Sequence, residues 1–318
     1  MKINLVESLS ISAELLEGYK EKLEAKGHEF NYYKENAKDL EELKERCKDA
    51  DILMIANSKF PNEAYEANEN LKLINVAFTG FDHVDIKNAS SKGIKVCNAS
   101  GYSNTAVSEL IIGLVLNIYR KIAEGDKATR EGKTQKSYYR GLEIAGKTVG
   151  IIGLGKIGLQ TAKLFLAMGA KVIAYARTQR DEAKALGIEY MSAEDVMRNS
   201  DIVSINLALN EHTKGFVSKE LLSLMKKDAI LVNCARGPIV DNEFLAKQLN
   251  DGAIAYAAID VFDMEPPIPA DYPLLNCKNI LLTPHIAFLT DESMVRRAEI
   301  AFDNTISFIE GEPKNIVN

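Results

Sequence analysis

Residues 147–158 read KTVGIIGLGKIG, and the organisation of the chain can be worked outward from them. Residues 148–152 are a short apolar run of strand type, a glycine turn follows, and a helix opens at Lys156. Gly153, Gly155 and Gly158 fill the three glycine positions of a dinucleotide-binding fingerprint. The first permits a tight turn, the second lets the backbone approach a pyrophosphate, and the third lets helix and strand pack closely. The first helical residues, Lys156 and Ile157, present unpaired N–H groups and a partial positive charge to the phosphates. Strand before and helix after supply the context that a bare glycine pattern lacks. An overlapping pattern, Gly141, Gly146, Lys147 and Thr148, has the spacing of a phosphate-binding P-loop. That loop follows a strand and opens a helix. This one follows SYYRG and leads into a strand, so Lys147 and Thr148 are read as the strand's start.

On either side of this stretch, apolar strands alternate with amphipathic helices. Upstream, strands are expected at 3–6, near Phe30, at 51–56, 73–78 and 94–98, with helices at 12–26, 39–47 and after Asp85. A long helix is expected over 103–123, then a polar and basic surface excursion over 125–146. Downstream strands fall at 148–152, 171–176, 201–207, 229–234, 255–260 and 280–282, and a last helix at 291–309. Such alternation predicts parallel sheets covered on both faces. Two α/β runs in one chain predict two domains, with a boundary near Gly101 and Tyr102 placed by topology rather than by composition.

The 318 residues suffice for two domains, and the 46% hydrophobic content is that of a chain with a real core. The formal net charge of −6 argues against a nucleic-acid partner. No apolar run approaches the ~20 residues that span a bilayer. The start, MKINLVESL, meets Glu7 too early for a signal-peptide core. Four cysteines, Cys47, Cys97, Cys234 and Cys277, lie far apart without metal-like spacing and are read as free thiols in a reducing cytoplasm. The sequons at Asn88 and Asn98 are then chance matches, and no metal site is expected.

Three downstream strands end on polar residues: NCARG at 233–237, DVFDMEP at 260–266 and TPHI at 283–286. In a doubly wound sheet these ends converge on the cofactor crevice. An Arg, a Glu and a His meeting there suit carbonyl reduction. His285 can give a proton to a developing alkoxide. Glu265 can orient the imidazole and favour its protonated form. Arg236 can fork onto a carboxylate or carbonyl oxygen.

With these residues in view, the chain resembles the D-2-hydroxyacid dehydrogenase family, the NAD(P)-dependent enzymes related to phosphoglycerate, glycerate and formate dehydrogenases. The matching segments are FTGFDHVD at 78–85, VSEL at 107–110, GLGKIG, VNCARGPIVD at 232–241, DVFDMEP and PHIA at 284–287. The resemblance implies a Rossmann domain over 102–289 and a flavodoxin-like substrate domain over 1–101 with 290–318, the C-terminal helix returning to the first domain. It implies that Arg236 binds substrate, that Glu265 pairs with His285, and that His285 is the acid/base. It further implies that Gly80 and Phe81 offer backbone N–H groups to the substrate carboxylate, that Asp260 contacts the nicotinamide carboxamide, and that Thr105 lies against the cofactor. A two-fold dimer through the cofactor domains is also implied, and the 103–123 helix has an apolar face broad enough for a partner. The activity implied is hydride transfer between NAD(P)H and a small 2-oxo acid; the alternative is a non-catalytic NAD(H) sensor on the same fold.

There are departures from the family pattern. The chain has no Trp, where the family often carries one before the glycine loop. Asn206 and Ala208 stand where a His-Leu-Pro run is common. The acidic residue that receives the ribose 2′-hydroxyl in NAD sites is replaced by Ala176, and Arg177, Thr178 and Arg180 follow. NADP(H) is therefore expected over NAD(H).

Overall fold

In the computed structural model, which describes residues 1–133, 135–264 and 267–318, the chain divides into two compact units. Unit 1 comprises Met1–Ser103 with Leu289–Asn318, and unit 2 comprises Asn104–Phe288.

Unit 1 runs β1 (Lys2–Leu5), α1 (Ala13–Glu24), β2 (Glu29–Tyr32), α2 (Leu40–Cys47), β3 (Ile52–Ile55), β4 (Leu73–Val76), α3 (Ile86–Ser91) and β5 (Lys95–Asn98). Side-chain oxygens start the helices: Ser12, Asp39 and Asp85 each accept from the N–H three residues on. The strands are all parallel, in the order β2-β1-β3-β4-β5. That is the flavodoxin-like order. β3 and β4 are buried at every position, as strands covered on both faces must be.

Unit 2 runs α4 (Asn104–Arg120), α5 (Ile122–Arg130), β6 (Thr148–Ile152), α6 (Lys156–Ala167), β7 (Lys171–Tyr175), α7 (Asp181–Ala185), β8 (Glu189–Tyr190), α8 (Ala193–Asn199), β9 (Ile202–Ile205), α9 (Lys219–Leu222), β10 (Ile230–Asn233), α10 (Asn242–Asn250), β11 (Tyr256–Ile259) and β12 (Ile280–Leu282). Its parallel sheet has the order β12-β11-β10-β9-β6-β7-β8. Six of those strands reproduce the Rossmann order, and β12 adds a seventh. Two apolar clusters pack the unit, one around Ile173, Val203 and Leu231, the other around Val149, Phe165 and Val172. Val172 and Ile173 belong to different clusters because successive strand residues point to opposite faces.

The last helix, α11 (Asp291–Ile309), is opened by a capping box between Thr290 and Ser293. It belongs to unit 1. Ala298, Ala301 and Phe302 join the core of Ile3, Leu5 and Phe30, and the Asn75 amide donates to the Ala301 carbonyl at 2.6 Å and to the Thr305 hydroxyl at 2.9 Å.

One expected helix is broken in two. The long helix breaks at Lys121, whose φ is +51°. The Tyr119 carbonyl, which would hold residue 123 in a continuous helix, instead accepts from Leu142 N–H at 2.9 Å. Ala123 N–H goes to the Asn117 side chain at 2.8 Å. The surface excursion expected from 125 thus begins inside α5.

Candidate functional site

The glycine loop joins β6 to α6, and each glycine is there for a different reason. Gly153 has a φ of +97°, and a Cβ on it would stand 2.8 Å from the Asn206 carbonyl. A Cβ on Gly158 would stand 2.1 Å from the Gly153 oxygen. Gly155, the residue before α6, faces open space, where a Cβ would meet nothing within 4 Å, and no side chain caps the helix. The loop is therefore tight on two sides and open on the third, where free N–H groups point outward from the helix start. That is the shape and polarity a pyrophosphate needs, so the residues present fit a dinucleotide. Thr105, in the first turn of α4, is exposed, as are Arg177 and Thr178 beyond the end of β7.

Arg236, Asp260 and His285 follow three neighbouring strands, β10, β11 and β12, at the carboxyl edge of this sheet. The turn carrying Arg236 is braced by Asn233, which is fully buried. Its amide donates to the Arg236 carbonyl at 3.1 Å, and its oxygen accepts from Ala235 N–H at 3.0 Å. The next strand end is tied to it, since Asp260 N–H donates to the Asn233 carbonyl at 3.0 Å. The half-buried Arg236 guanidinium donates through Nη1 to the Ala235 carbonyl at 2.8 Å, which turns the side chain back onto its own loop.

His285 is held in the left-handed region, φ +54°. A non-glycine residue there is strained by roughly 1–3 kcal/mol, and it persists only where its surroundings over-determine it. Asp260 does so. His285 N–H donates to the Asp260 carbonyl at 2.8 Å. The Asp260 carboxylate accepts from the Thr283 hydroxyl at 2.6 Å and from the N–H groups of Ile286 and Ala287 at 2.9 Å each. Every residue of the turn around His285 except Pro284 is thus bound to one buried carboxylate or its own carbonyl. Burial pushes the Asp260 carboxyl above its ordinary value, against the pull of those donors and of the His285 charge. The imidazole lies edge-on to Phe288 with ring centroids 5.5 Å apart.

The sequence reading gave Asp260 a cofactor contact and missed its hold on the His285 turn. It also missed the roles of Asn233 and Thr283, whose partners, turn backbone for Asn233 and the Asp260 carboxylate for Thr283, come together only when the strand ends fold side by side. Glu265 lies outside the described residues. Gly80 and Phe81 lie in unit 1, half-buried, in the loop beyond the end of β4.

A protein-family model described as D-isomer specific 2-hydroxyacid dehydrogenase, NAD binding domain, matches residues 112–287. The chain belongs to this family. Among relatives, it is 40% identical over 286 residues to a glyoxylate reductase of Thermofilum pendens (strain DSM 2475 / Hrk 5), a match covering 87% of this chain and 84% of that one. It is 35% identical over 302 residues to a hydroxypyruvate reductase of Blautia hydrogenotrophica (strain DSM 10507 / JCM 14656 / S5a33), covering 93% and 94%. Among solved structures, an acyclic imino acid reductase, Bsp5, in complex with NADPH and D-Arg, superposes over the full length of both chains with a TM-score of 0.89 and 26% identity. The 2-hydroxyacid dehydrogenase reading of the motifs thus holds, and with it the nicotinamide-dependent oxidoreductase class acting on CH–OH groups.

Proposed function

We propose that this dehydrogenase reduces a small 2-oxo acid, of glyoxylate or hydroxypyruvate size, to the D-2-hydroxy acid, using NADP(H) in preference to NAD(H). The observation that carries the reading is His285, strained and clamped at the end of β12, on the same sheet edge as Arg236 and the open glycine loop. The reduced nicotinamide, when bound, supplies the hydride that C2 of the oxo acid receives. His285 delivers the proton to the carbonyl oxygen as it becomes an alkoxide. The Arg236 fork binds the carboxylate or carbonyl oxygen through charge-assisted hydrogen bonds. In this reading Glu265 orients His285, Gly80 and Phe81 donate backbone N–H groups to the substrate carboxylate, and Asp260 serves the carboxamide as well as the His285 turn. Gly153, Gly155, Lys156, Ile157 and Gly158 hold the pyrophosphate, and Thr105 lies along the cofactor. The names of the relatives support the substrate size.

For the 2′-phosphate, Arg177 is exposed and makes no hydrogen bond or ion pair among the described residues. Local negative charge is partly answered, since Lys163 pairs with Glu182 at 2.6 Å and Lys184 with Asp181 at 3.9 Å. A charge-assisted hydrogen bond from Arg177, with Thr178 beside it, contributes roughly 1.5–3 kcal/mol. That corresponds to on the order of ten- to a hundredfold preference. Exposed apolar residues Ile122, Tyr138 and Leu142, at 56%, 67% and 50%, support a homodimer through the α4–α5 region of unit 2. The buried free thiols suit a reducing cytoplasm.

The test follows loss of reduced-nicotinamide absorbance with a panel of 2-oxo acids and both cofactors, in the wild type and in Arg177→Ala. Turnover of glyoxylate or hydroxypyruvate, with a kcat/KM ratio favouring NADPH that collapses in the variant, is expected. NADPH binding without turnover of any oxo acid would replace the enzyme with the sensor. Light scattering at micromolar concentration is expected to return the dimer mass.

A further inference from the structure

Away from the residues assigned to chemistry, a buried polar cluster ties together two of the segments that carry them. Asn242 opens α10 and is 4% exposed. Its amide nitrogen donates to the Gly237 carbonyl at 3.1 Å and to Asp263 Oδ1 at 2.8 Å. A carbonyl and a carboxylate can only accept, so the amide must face them with its nitrogen. Asp263 Oδ2 accepts from the Tyr272 hydroxyl at 2.9 Å. Tyr272 is buried and edge-on to Phe262, with centroids 5.8 Å apart. The two segments also touch through their backbones: a Cβ on Gly237 would stand 2.1 Å from the Phe262 carbonyl carbon and 2.5 Å from the Asp263 nitrogen. Gly237 directly follows Arg236, and Asp263 stands two residues before Glu265.

Neither the pairing of these strands nor the cap of the helix runs through this cluster. β10 and β11 are already paired over four positions, and Asp241 caps α10 through Phe244 N–H. The Asn242 amide oxygen accepts no hydrogen bond among the described residues. An unmet buried acceptor is costly, so a residue selected for burial alone would be apolar. What Asn242 adds is a donor shared between the turn that carries Arg236 and the segment that leads into Glu265.

We infer that Asn242 is a positioning residue which, with Asp263 and Tyr272, locks the Arg236–Gly237 turn to the Phe262–Asp263 segment and so sets the reach of Arg236 toward substrate. The inference rests on the oxo-acid reductase reading. Asn242→Ala is expected to lower kcat/KM for the 2-oxo acid on the order of tenfold or more, mainly through KM, because small misplacements of a binding group are amplified in the transition state. NADPH affinity, read by fluorescence, is expected to be unchanged. Asp263→Ala should do the same, whereas Asp263→Asn, which can still accept from Asn242 and donate to the Tyr272 oxygen, should restore most of the loss. The double variant Asn242→Ala/Asp263→Ala should be little worse than either single, since both act through one link. Wild-type kcat/KM in Asn242→Ala overturns the inference, and so does a loss in which NADPH affinity and Tm fall in step with activity. Should Asn242→Ala fail to fold, Tyr272→Phe carries the test: a smaller fall in kcat/KM is expected, and none overturns it. A wild type inactive on every oxo acid would instead overturn the reductase reading itself.

Discussion

In the seven-stranded sheet the strand order reverses between β6 and β9; in the five-stranded sheet it reverses between β1 and β3. Ligands of open α/β sheets bind at such switch points. At the first, Gly155 faces open space and leaves the start of α6 uncapped. At the second, the chain spans the point with its own polar groups. Ser58 N–H, beyond β3, donates to the Glu7 carboxylate, beyond β1, at 3.1 Å. Glu7 is 4% exposed, and its charge favours the charged form of Arg297, 2% exposed on α11. Arg297 in turn donates to the Leu9 carbonyl at 2.6 Å. Topology offers a crevice in both units, and the residues placed there decide whether it is open to a ligand or spanned from within. Function therefore follows from the site and not from the architecture the two units share.

The sharpest way to break this contrast is at the open unit. His285→Ala is expected to lower kcat about 10²–10⁴-fold while NADPH binding survives, since general acid–base catalysis contributes that much. Single-turnover measurements showing chemistry at the wild-type rate would remove His285 from its role.

Next come the glycines. Gly158→Ala forces a methyl against the Gly153 oxygen and should cost the apo protein about 1–3 kcal/mol in chemical denaturation. Gly155→Ala meets nothing, so apo stability should move by no more than about 0.5 kcal/mol. Yet its methyl stands where phosphate must approach, and NADPH titration should show weakened binding. Equal effects of the two substitutions on apo stability would mean that the loop is not open at Gly155.

At the spanned point, Glu7→Ala strands the Ser58 N–H and removes a compensating charge from buried Arg297. A loss of about 1–3 kcal/mol is expected in urea unfolding. NADPH affinity should not change, and a large fall in it would contradict the separation of the two roles.

The smallest effect concerns the thiols, two in each unit, all free and buried. Burial pushes the Cys47 and Cys97 thiols up to about 12 and the Cys234 thiol well above its ordinary value. Only the thiolate reacts, so at pH 8 a thiol of that kind is ionised on the order of one part in ten thousand. A chromogenic disulfide should label none of the four before unfolding, and rapid labelling of the native protein would show that one unit opens.

Much of this was legible in the sequence, and unevenly so. The strand at 280–282 and the helix at 291–309 were placed to the residue, because a short apolar run and a 3.6-residue period are properties of the segment itself. Strands expected at 73–78 and 201–207 end at Val76 and Ile205. Ala77 and Phe78 are buried in the loop beyond β4, so the apolar run outlasts the pairing. β8 is two residues long, too short for any period to register. Arg236 and His285 were legible as candidates because charged residues close otherwise apolar strands.

By itself the sequence determined the α/β class, the glycine loop and the family, and marked the candidate side chains. Each of these depends on residue type and local spacing, which the chain carries before it folds. Only the tertiary structure decided the rest. The break at Lys121 exists because Leu142 takes the Tyr119 carbonyl from the helix. The strain at His285 exists because Asp260, 25 residues earlier, binds the turn around it. The link from Asn242 to Asp263 joins residues 21 apart in the chain. Hydrogen bonds of this kind are chosen among distant partners only when the sheet has brought their strand ends side by side, and no local pattern encodes that choice.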